Sequence, residues 1–306
     1  MNRADLVQRE GKYNAPSGES EILGLEVAGE IVGFGSQESE HSFKNKGWLI
    51  GDRVMTLVGG GGYAQYAVAY IDHLLRIPEE MCFQQAACVS ETYITAFLNL
   101  FLLGKVRDGD VVMLHGGGGG VTTAGIQLLR QLTPNATIVV TASTRKLARV
   151  QAQGAHLVLD YSSEEGGPQA WPNAIKTFTN GQSCDVILDH IGADYLTGNL
   201  KTLGMNGRLI IIGLMGGHMA KINLGTLMVK RQSLIGSTLR SRPVADKARI
   251  VSAFTEQVLP WFTSDSSRSK LWPEIDSVFN LCEAQKAHIH MQQSQHFGKI
   301  VLEVTH

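Results

Sequence analysis

Residues 111–130 read VVMLHGGGGGVTTAGIQLLR. The apolar run at 111–115 reads as a strand and 121–131 as a helix, so the glycines at 116–120 occupy a strand-to-helix turn. Such a turn gathers backbone N–H groups and the positive end of a helix dipole at one point, where a pyrophosphate can bind. A flexible glycine linker would instead join independent units, whereas both neighbours here read as adjacent elements of one sheet. Counted from Gly117, the spacing is Gly117-x-x-Gly120-x-Thr122. Two glycines of a dinucleotide fingerprint are present, and threonine stands where the third would let a helix pack closely.

Downstream, short β-branched runs alternate with helical stretches, the pattern of a parallel sheet covered by helices. Strands are expected at 137–141, 157–159, 185–189 and 208–212, and helices at 145–153, 170–179 and 195–203. Residues 24–80 differ: strand-like pieces at 26–34, 53–57 and 62–69 are separated by Gly, Pro and charged turns, which predicts a small antiparallel β unit. After residue 265, strand, helix and strand recur at 275–280, 283–293 and 299–304, so the C-terminus is expected to rejoin the first unit. The domains are placed at 1–85 with 265–306, and at 86–264. SDSSRSK at 264–270 reads as an exposed loop.

The 306 residues are 43% hydrophobic and 18% charged, ordinary for a globular chain. A net charge of −1 supplies no basic field for nucleic acid. The longest uninterrupted apolar runs fall well short of a spanning helix, and the N-terminus lacks an apolar signal core, so no membrane partner is expected. The four cysteines are scattered without CxxC spacing, which suits a reducing compartment, with the cytoplasm as the expected location.

NAD-specific Rossmann sites place an acidic side chain at the end of the second strand, where it binds the adenosine ribose hydroxyls. Here the segment reads Thr141-Ala142-Ser143-Thr144-Arg145-Lys146. Arg145 or Lys146, with hydroxyl donors such as Ser143, would hold a phosphorylated ribose, which favours NADPH. Both cations fit equally a solvated first turn of helix.

Further stretches carry a resemblance: NRADLVQREGKY (2–13), ILGLEVAGEIVGFG (22–35), GDRVMTLVGGGGYAQY (51–66), ETYITAF (91–97), VILDHIGADYLTGNL (186–200), GRLIIIGLMGG (207–217), GSTLRSRP (236–243) and GKIVLEV (298–304). With the glycine turn, they span nearly the whole chain. The chain resembles the zinc-independent quinone oxidoreductases of the medium-chain dehydrogenase/reductase superfamily, zeta-crystallin-like and nearest the tumour-suppressor-inducible branch. The resemblance implies an α/β fold in which a Rossmann doubly wound parallel sheet is inserted into a GroES-like β-rich catalytic domain. It implies hydride transfer from NADPH to quinones or related conjugated carbonyls, and a homodimer that pairs Rossmann edges, for which 231–236 is a candidate. It also implies roughly 35–40 further residues ahead of Asn2, supplying opening strands whose loss would expose unpaired edges.

By the same resemblance, Asn2 and Tyr13 are polar residues beside the nicotinamide and the substrate carbonyl, and Thr95 lies near the nicotinamide ribose. Either Asn2 or Tyr13 could polarise an acceptor oxygen without a buried cation; each could equally be a cap or a loop anchor. The implied cofactor residues are Gly117, Gly120, Val121, Thr122, Ser143, Arg145, Lys146, Tyr161, Gly213, Leu214, Met215 and Leu239. Arg240 and Arg242 could be surface residues steadying a loop. Zinc-dependent relatives carry Gly-His-Glu where this chain has Gly24-Leu25-Glu26, and a Cys where it has Asn2, so no metal is expected. His115, His190 and His288 read as packing or surface residues. Thr122 and the extra freedom of Gly118 and Gly119 predict a less stiff turn and weaker cofactor affinity. Two alternatives stay open: an enoyl-thioester reductase of the same superfamily, and a non-catalytic NADPH-binding protein.

Overall fold

The computed structural model describes residues 1–35, 43, 46–163, 166–263 and 271–304; the loop expected at 264–270 lies outside the described residues. The chain divides into two compact units, Met1–Ile94 with Arg240–His306, and Thr95–Leu239. These boundaries differ from those expected at 85/86 and 264/265. The helix Val244–Gln257 accounts for the later one: it packs on the turn Ile71–His73 and the strand Leu74–Arg76 of the first unit. His73 Nε2 lies 3.0 Å from the Val244 carbonyl oxygen.

In the first unit β1 (Glu26–Glu30), β2 (Arg53–Leu57) and β3 (Leu74–Arg76) form an antiparallel sheet in that order. The strand expected at 62–69 does not form. Gly62 and Tyr63 donate instead to the Gly24 and Leu23 carbonyls at 3.2 and 2.8 Å. Gly24, at φ +101°, approaches so closely that a Cβ on it would lie 2.6 Å from the Gly62 Cα. Beyond that clasp the alternating residues have no sheet partner among the described residues, and Tyr66 and Val68 are 71% and 93% exposed. The alternation in sequence is therefore no sign of pairing here: the chain bends at residues 63–66.

The second unit is one parallel sheet of β4 (Val111–Leu114), β5 (Thr137–Ala142), β6 (Leu157–Asp160), β7 (Cys184–Asp189), β8 (Leu203–Ile211) and β9 (Ser233–Gly236), in the order β6-β5-β4-β7-β8-β9. That order is the doubly wound Rossmann arrangement. All four residues of β4 are buried, as expected of a central strand covered on both faces. Trp171 and Ile175, from the helix Trp171–Phe178, pack with Val111, Met113, Val139, Ile187, Leu203 and Leu209. The indole satisfies its buried N–H by donating to the Gly166 carbonyl at 2.9 Å.

The first unit also contains the parallel pair β10 (Ile275–Asn280) and β11 (Lys299–Glu303), with the helix Ala284–Gln292 between them in sequence. Lys299, at the start of β11, donates to Glu26 at 2.6 Å, to the Asn2 side-chain oxygen at 2.5 Å and to the Met1 carbonyl at 2.8 Å. Burial opposes both charges, yet the Lys299 ammonium holds the Glu26 carboxyl below its usual range and Glu26 holds Lys299 above its own. One ion pair thereby joins the helix Arg3–Arg9, β1 and β11 across 273 residues of sequence.

No uninterrupted apolar run in the sequence is long enough to span a bilayer, but the fold joins Phe83–Leu103 into one helical stretch of 21 residues that is long and apolar enough. Polar residues such as Thr92 and Asn99 interrupt the run and hide it from a reading of the sequence. Within the protein 67% of that window is buried, the environment of a core helix.

Lys299→Met leaves Glu26 buried without its counter-charge and is expected to cost about 3–5 kcal/mol, whereas adding Glu26→Gln recovers part of the loss. Urea unfolding of the single and double variants measures both.

Candidate functional site

Each glycine of the turn after β4 has a distinct job. Gly116 and Gly118 take φ of +70° and +85°, the left-handed region that side chains avoid. Gly117 packs against β5, where a Cβ would lie 2.8 Å from Ala142 Cβ, 2.9 Å from Val150 and 3.0 Å from Val140. Its N–H donates to the Thr141 carbonyl at 2.7 Å, and Gly119 donates to Gly116 at 3.0 Å. The helix Gly120–Leu132 starts at once, and the Thr123 amide is the first to bond back, to Gly119. The amides of Gly120, Val121 and Thr122 are therefore the orphan donors of the first turn.

Thr122 does not loosen this turn. It is buried, and its hydroxyl donates to the His115 carbonyl at 2.7 Å, tying the helix to the strand end. The expected loss of stiffness is corrected by that bond and by the steric confinement of Gly117.

The remaining cofactor residues expected from the sequence lie beyond the carboxyl ends of the neighbouring strands. Ser143, Arg145 and Lys146 follow β5, Tyr161 follows β6, Gly213, Leu214 and Met215 follow β8, and Leu239 follows β9. Parallel pairing brings these ends to one edge of the sheet, the place where open α/β sheets bind ligands. The cradle and its orphan amides fit a dinucleotide. Sequence reasoning missed Asp160, the last residue of β6. It accepts from the Thr144 hydroxyl at 2.6 Å and from the Ser162 amide at 2.9 Å, and the Thr144 bond holds its carboxyl below the usual range. Its charge lies beside the Ser143–Lys146 turn and opposes the two cations there.

Beneath the turn runs a buried polar chain. The Thr141 hydroxyl meets His115 Nδ1 at 3.0 Å, His115 Nε2 meets the Asn199 side-chain oxygen at 2.8 Å, and the Asn199 amide donates to Asp189 at 3.1 Å. An oxygen acceptor at Nε2 requires the proton there, and burial pushes the pKa down to about 3, so the ring is neutral and its Nδ1 accepts from the Thr141 hydroxyl. Asp189 accepts from the Ile191 and Gly192 amides, and burial pushes its carboxyl up to about 6. His115 is a packing residue, as the sequence suggested.

Asn2, Tyr13 and Thr95 are not drawn into one described cluster. Asn2 caps the helix Arg3–Arg9, donates to Glu26 at 3.0 Å and accepts from Lys299. Tyr13 lies under Arg240, whose Cζ is 5.0 Å from the ring centroid. Arg240 is buried rather than on the surface, because it donates to the Gly59 and Tyr13 carbonyls at 2.8 and 3.1 Å. Burial and nearby Glu91 push the Tyr13 phenol above its usual range, while Arg240 works against them. Thr95 belongs to the helix Ser90–Phe97, where its carbonyl accepts from Asn99. His288 lies 3.1 Å from the Tyr63 hydroxyl, and Tyr63 donates to Asp5 at 3.1 Å. Leu25 is buried, and among the described residues no group of three or more His, Cys, Asp or Glu is placed to hold a metal.

Glu91 gave no signal in the sequence. Its amide donates to Glu26 at 2.8 Å, and burial followed by repulsion from the Glu26 carboxylate pushes its own carboxyl up to about 8. A raised acid pKa contributes stability that is complete below the unfolded value of about 4.3 and lost as pH rises through the folded value. Glu91→Gln is therefore expected to match the parent chain below about pH 4 and to melt higher than it at pH 9, as read by thermal unfolding at both pH values.

The sequence matches the family Zinc-binding dehydrogenase over residues 120–257 and the family Alcohol dehydrogenase GroES-like domain over residues 1–79. It is 30% identical over 308 residues to the quinone oxidoreductase of Sus scrofa, covering 99% of this chain and 85% of that one. The quinone oxidoreductase of Pseudomonas syringae pv. Tomato DC3000 superposes with a TM-score of 0.81 at 25% identity, covering 99% and 87% of the two chains. The CurK enoyl reductase shares the fold, with a TM-score of 0.81 at 24% identity over 100% and 88% of the chains. The chain belongs to the medium-chain dehydrogenase/reductase superfamily of NAD(P)-binding oxidoreductases, alongside its quinone oxidoreductases and quinone oxidoreductase-like members.

Proposed function

We propose that the protein is a zinc-independent reductase that uses NADPH to deliver hydride to quinones or related conjugated carbonyls. The observation that carries this proposal is the collection of Gly117, Gly120, Ser143, Arg145, Lys146 and Gly213 at the carboxyl edge of one parallel sheet. When bound, the dihydronicotinamide supplies the hydride. The orphan amides of the helix Gly120–Leu132 hold its pyrophosphate. Arg145, Lys146 and Ser143 hold the ribose phosphate, and Tyr161 flanks that end. The backbones at Gly213, Leu214, Met215 and Leu239 orient the carboxamide, and Thr95 the neighbouring ribose.

Tyr13 is the proposed donor to the acceptor oxygen. A phenol held above its usual pKa keeps its proton at neutral pH, so it stabilises developing negative charge without needing a buried cation. Asn2 engages Glu26 and Lys299, and its amide nitrogen carries a second hydrogen that could assist. Leu25, where zinc-dependent relatives carry histidine, has no ligand atom, which supports the zinc-independent form. The Asp160 carboxylate is the argument for NADH.

Steady-state oxidation of NADPH and of NADH in the presence of a naphthoquinone tests the proposal, and cofactor binding without quinone-stimulated oxidation would sink it. The likeness to an enoyl reductase supports the second candidate activity, which preferential turnover of an enoyl-thioester would establish. A homodimer paired along β9 is proposed from the exposed Leu224, Met228 and Val229 beside that strand, and sedimentation equilibrium measures it. The four free cysteines suit the cytoplasm as its location.

Arg145→Ala with Lys146→Ala is expected to weaken NADPH about 10- to 100-fold, the worth of one or two charge-assisted hydrogen bonds, while leaving NADH nearly unchanged. Nicotinamide fluorescence titration separates the two. Thr122→Gly is expected to lower stability by about 1–2 kcal/mol through the lost hydroxyl bond and the added backbone freedom, without tightening NADPH. Thermal unfolding and the same titration check it.

A further inference from the structure

We infer that His190 is a diphosphate-contacting residue of the dinucleotide site, an imidazole donor facing the glycine turn. This rests on the cofactor site proposed above and adds to it a residue that the fingerprint does not contain.

The chain runs from β4 through β5 to β6 on one side and then crosses to β7 on the other side of β4, so the carboxyl ends of β4 and β7 flank the topological switch point. β7 ends in two polar residues that point differently. Asp189 is fully buried and turned inward, its oxygens held by the Ile191 and Gly192 amides and by Asn199. Its charge is thereby directed away from the crevice. His190 follows it and is partly exposed.

Two of the loops assigned to the cofactor make room for His190. On the Gly116 side, a Cβ would come within 2.3 Å of His190 Nε2 and 2.4 Å of its Cε1. On the Gly213 side, a Cβ would lie 3.0 Å from the His190 carbonyl oxygen and 3.1 Å from its Cβ. The Met215 amide donates to that carbonyl at 3.1 Å, and the Gly216 amide donates to Ile191 at 2.7 Å, so the backbone beneath the ring is fixed from the β8 side. The imidazole is thus held where the phosphate turn begins, between the loops that follow β4 and β8. Imidazole has an N–H donor in either protonation state, and the ligand oxygens nearest such a turn are anionic.

Equilibrium titration of NADPH, NADH and ADP-ribose into the parent chain, His190→Ala and His190→Gln tests this, with thermal unfolding of each variant alongside. His190→Ala is expected to weaken all three ligands by about tenfold or more, the worth of a hydrogen bond to a charged group, and His190→Gln to retain part of the affinity through its amide N–H. 2′-AMP, which lacks the diphosphate, is expected to bind all three proteins alike. Equal affinity of the parent chain and folded His190→Ala for the diphosphate ligands would overturn the role of His190 and leave the cofactor site standing; if His190→Ala fails to fold, a His190→Gln variant that binds NADPH and ADP-ribose as tightly as the parent chain does the same. A parent chain that binds none of the three would overturn both.

Discussion

The second unit is built around the contact between Gly117 and β5. With Ala142, Val150 and Val140 within 3.0 Å of where a Cβ would stand, only glycine lets the chain leave β4, pass so close to its neighbour and enter a helix within a few residues. The strand register, the start of the helix and the position of its orphan amides all follow from that approach. Gly116 and Gly118 supply the left-handed backbone that reverses direction, and Thr122 locks the far side. A run of five glycines, which in isolation is the most flexible sequence available, is therefore one of the more tightly specified segments of the unit.

The two units handle buried polarity differently. In the second, neutral groups lead from Thr141 to Asp189, whose carboxyl burial pushes up to about 6 while the Ile191 and Gly192 amides and the Asn199 side chain hold its oxygens. In the first, Glu26 and Lys299 remain charged, while burial and then repulsion from Glu26, opposed by Lys299, push the neighbouring Glu91 carboxyl up to about 8. Protonated Glu91 and neutral Tyr13 then share one neighbourhood with the Arg240 guanidinium, a set of donors rich in hydrogen and poor in net negative charge.

Legibility in the sequence follows sequence separation. β4, β5 and β7 were readable because strands buried on both faces are continuous apolar runs, and the first βα turn because its glycines are adjacent. The expected strand at 62–69 does not form because alternation alone supplies no partner, and the segment bends where it clasps Leu23 and Gly24. Glu26 with Lys299, and His190 with Gly116 and Gly213, were invisible because each joins residues that only the topology brings together. Asp160 was overlooked for a subtler reason: the acidic position was sought at the end of β5, while the carboxylate reaches that loop from β6 through Thr144. At Thr122 the sequence shows the missing glycine but not the hydroxyl bond to the His115 carbonyl that stands in its place.

Cofactor preference thus becomes a contest of charges at one corner of the sheet. Arg145 and Lys146 come from the turn after β5 and carry two positive charges; Asp160 comes from β6 and carries one negative charge, already partly satisfied by Thr144 and Ser162. A carboxylate whose oxygens accept from the protein is a poorer acceptor for ribose hydroxyls, which weakens the NADH-type contact. The same bonds hold its carboxyl below the usual range, so it keeps its negative charge beside the two cations. The corner therefore holds both the cations that a phosphorylated ribose would require and the acidic side chain associated with the unphosphorylated one, and the two pull the preference in opposite directions.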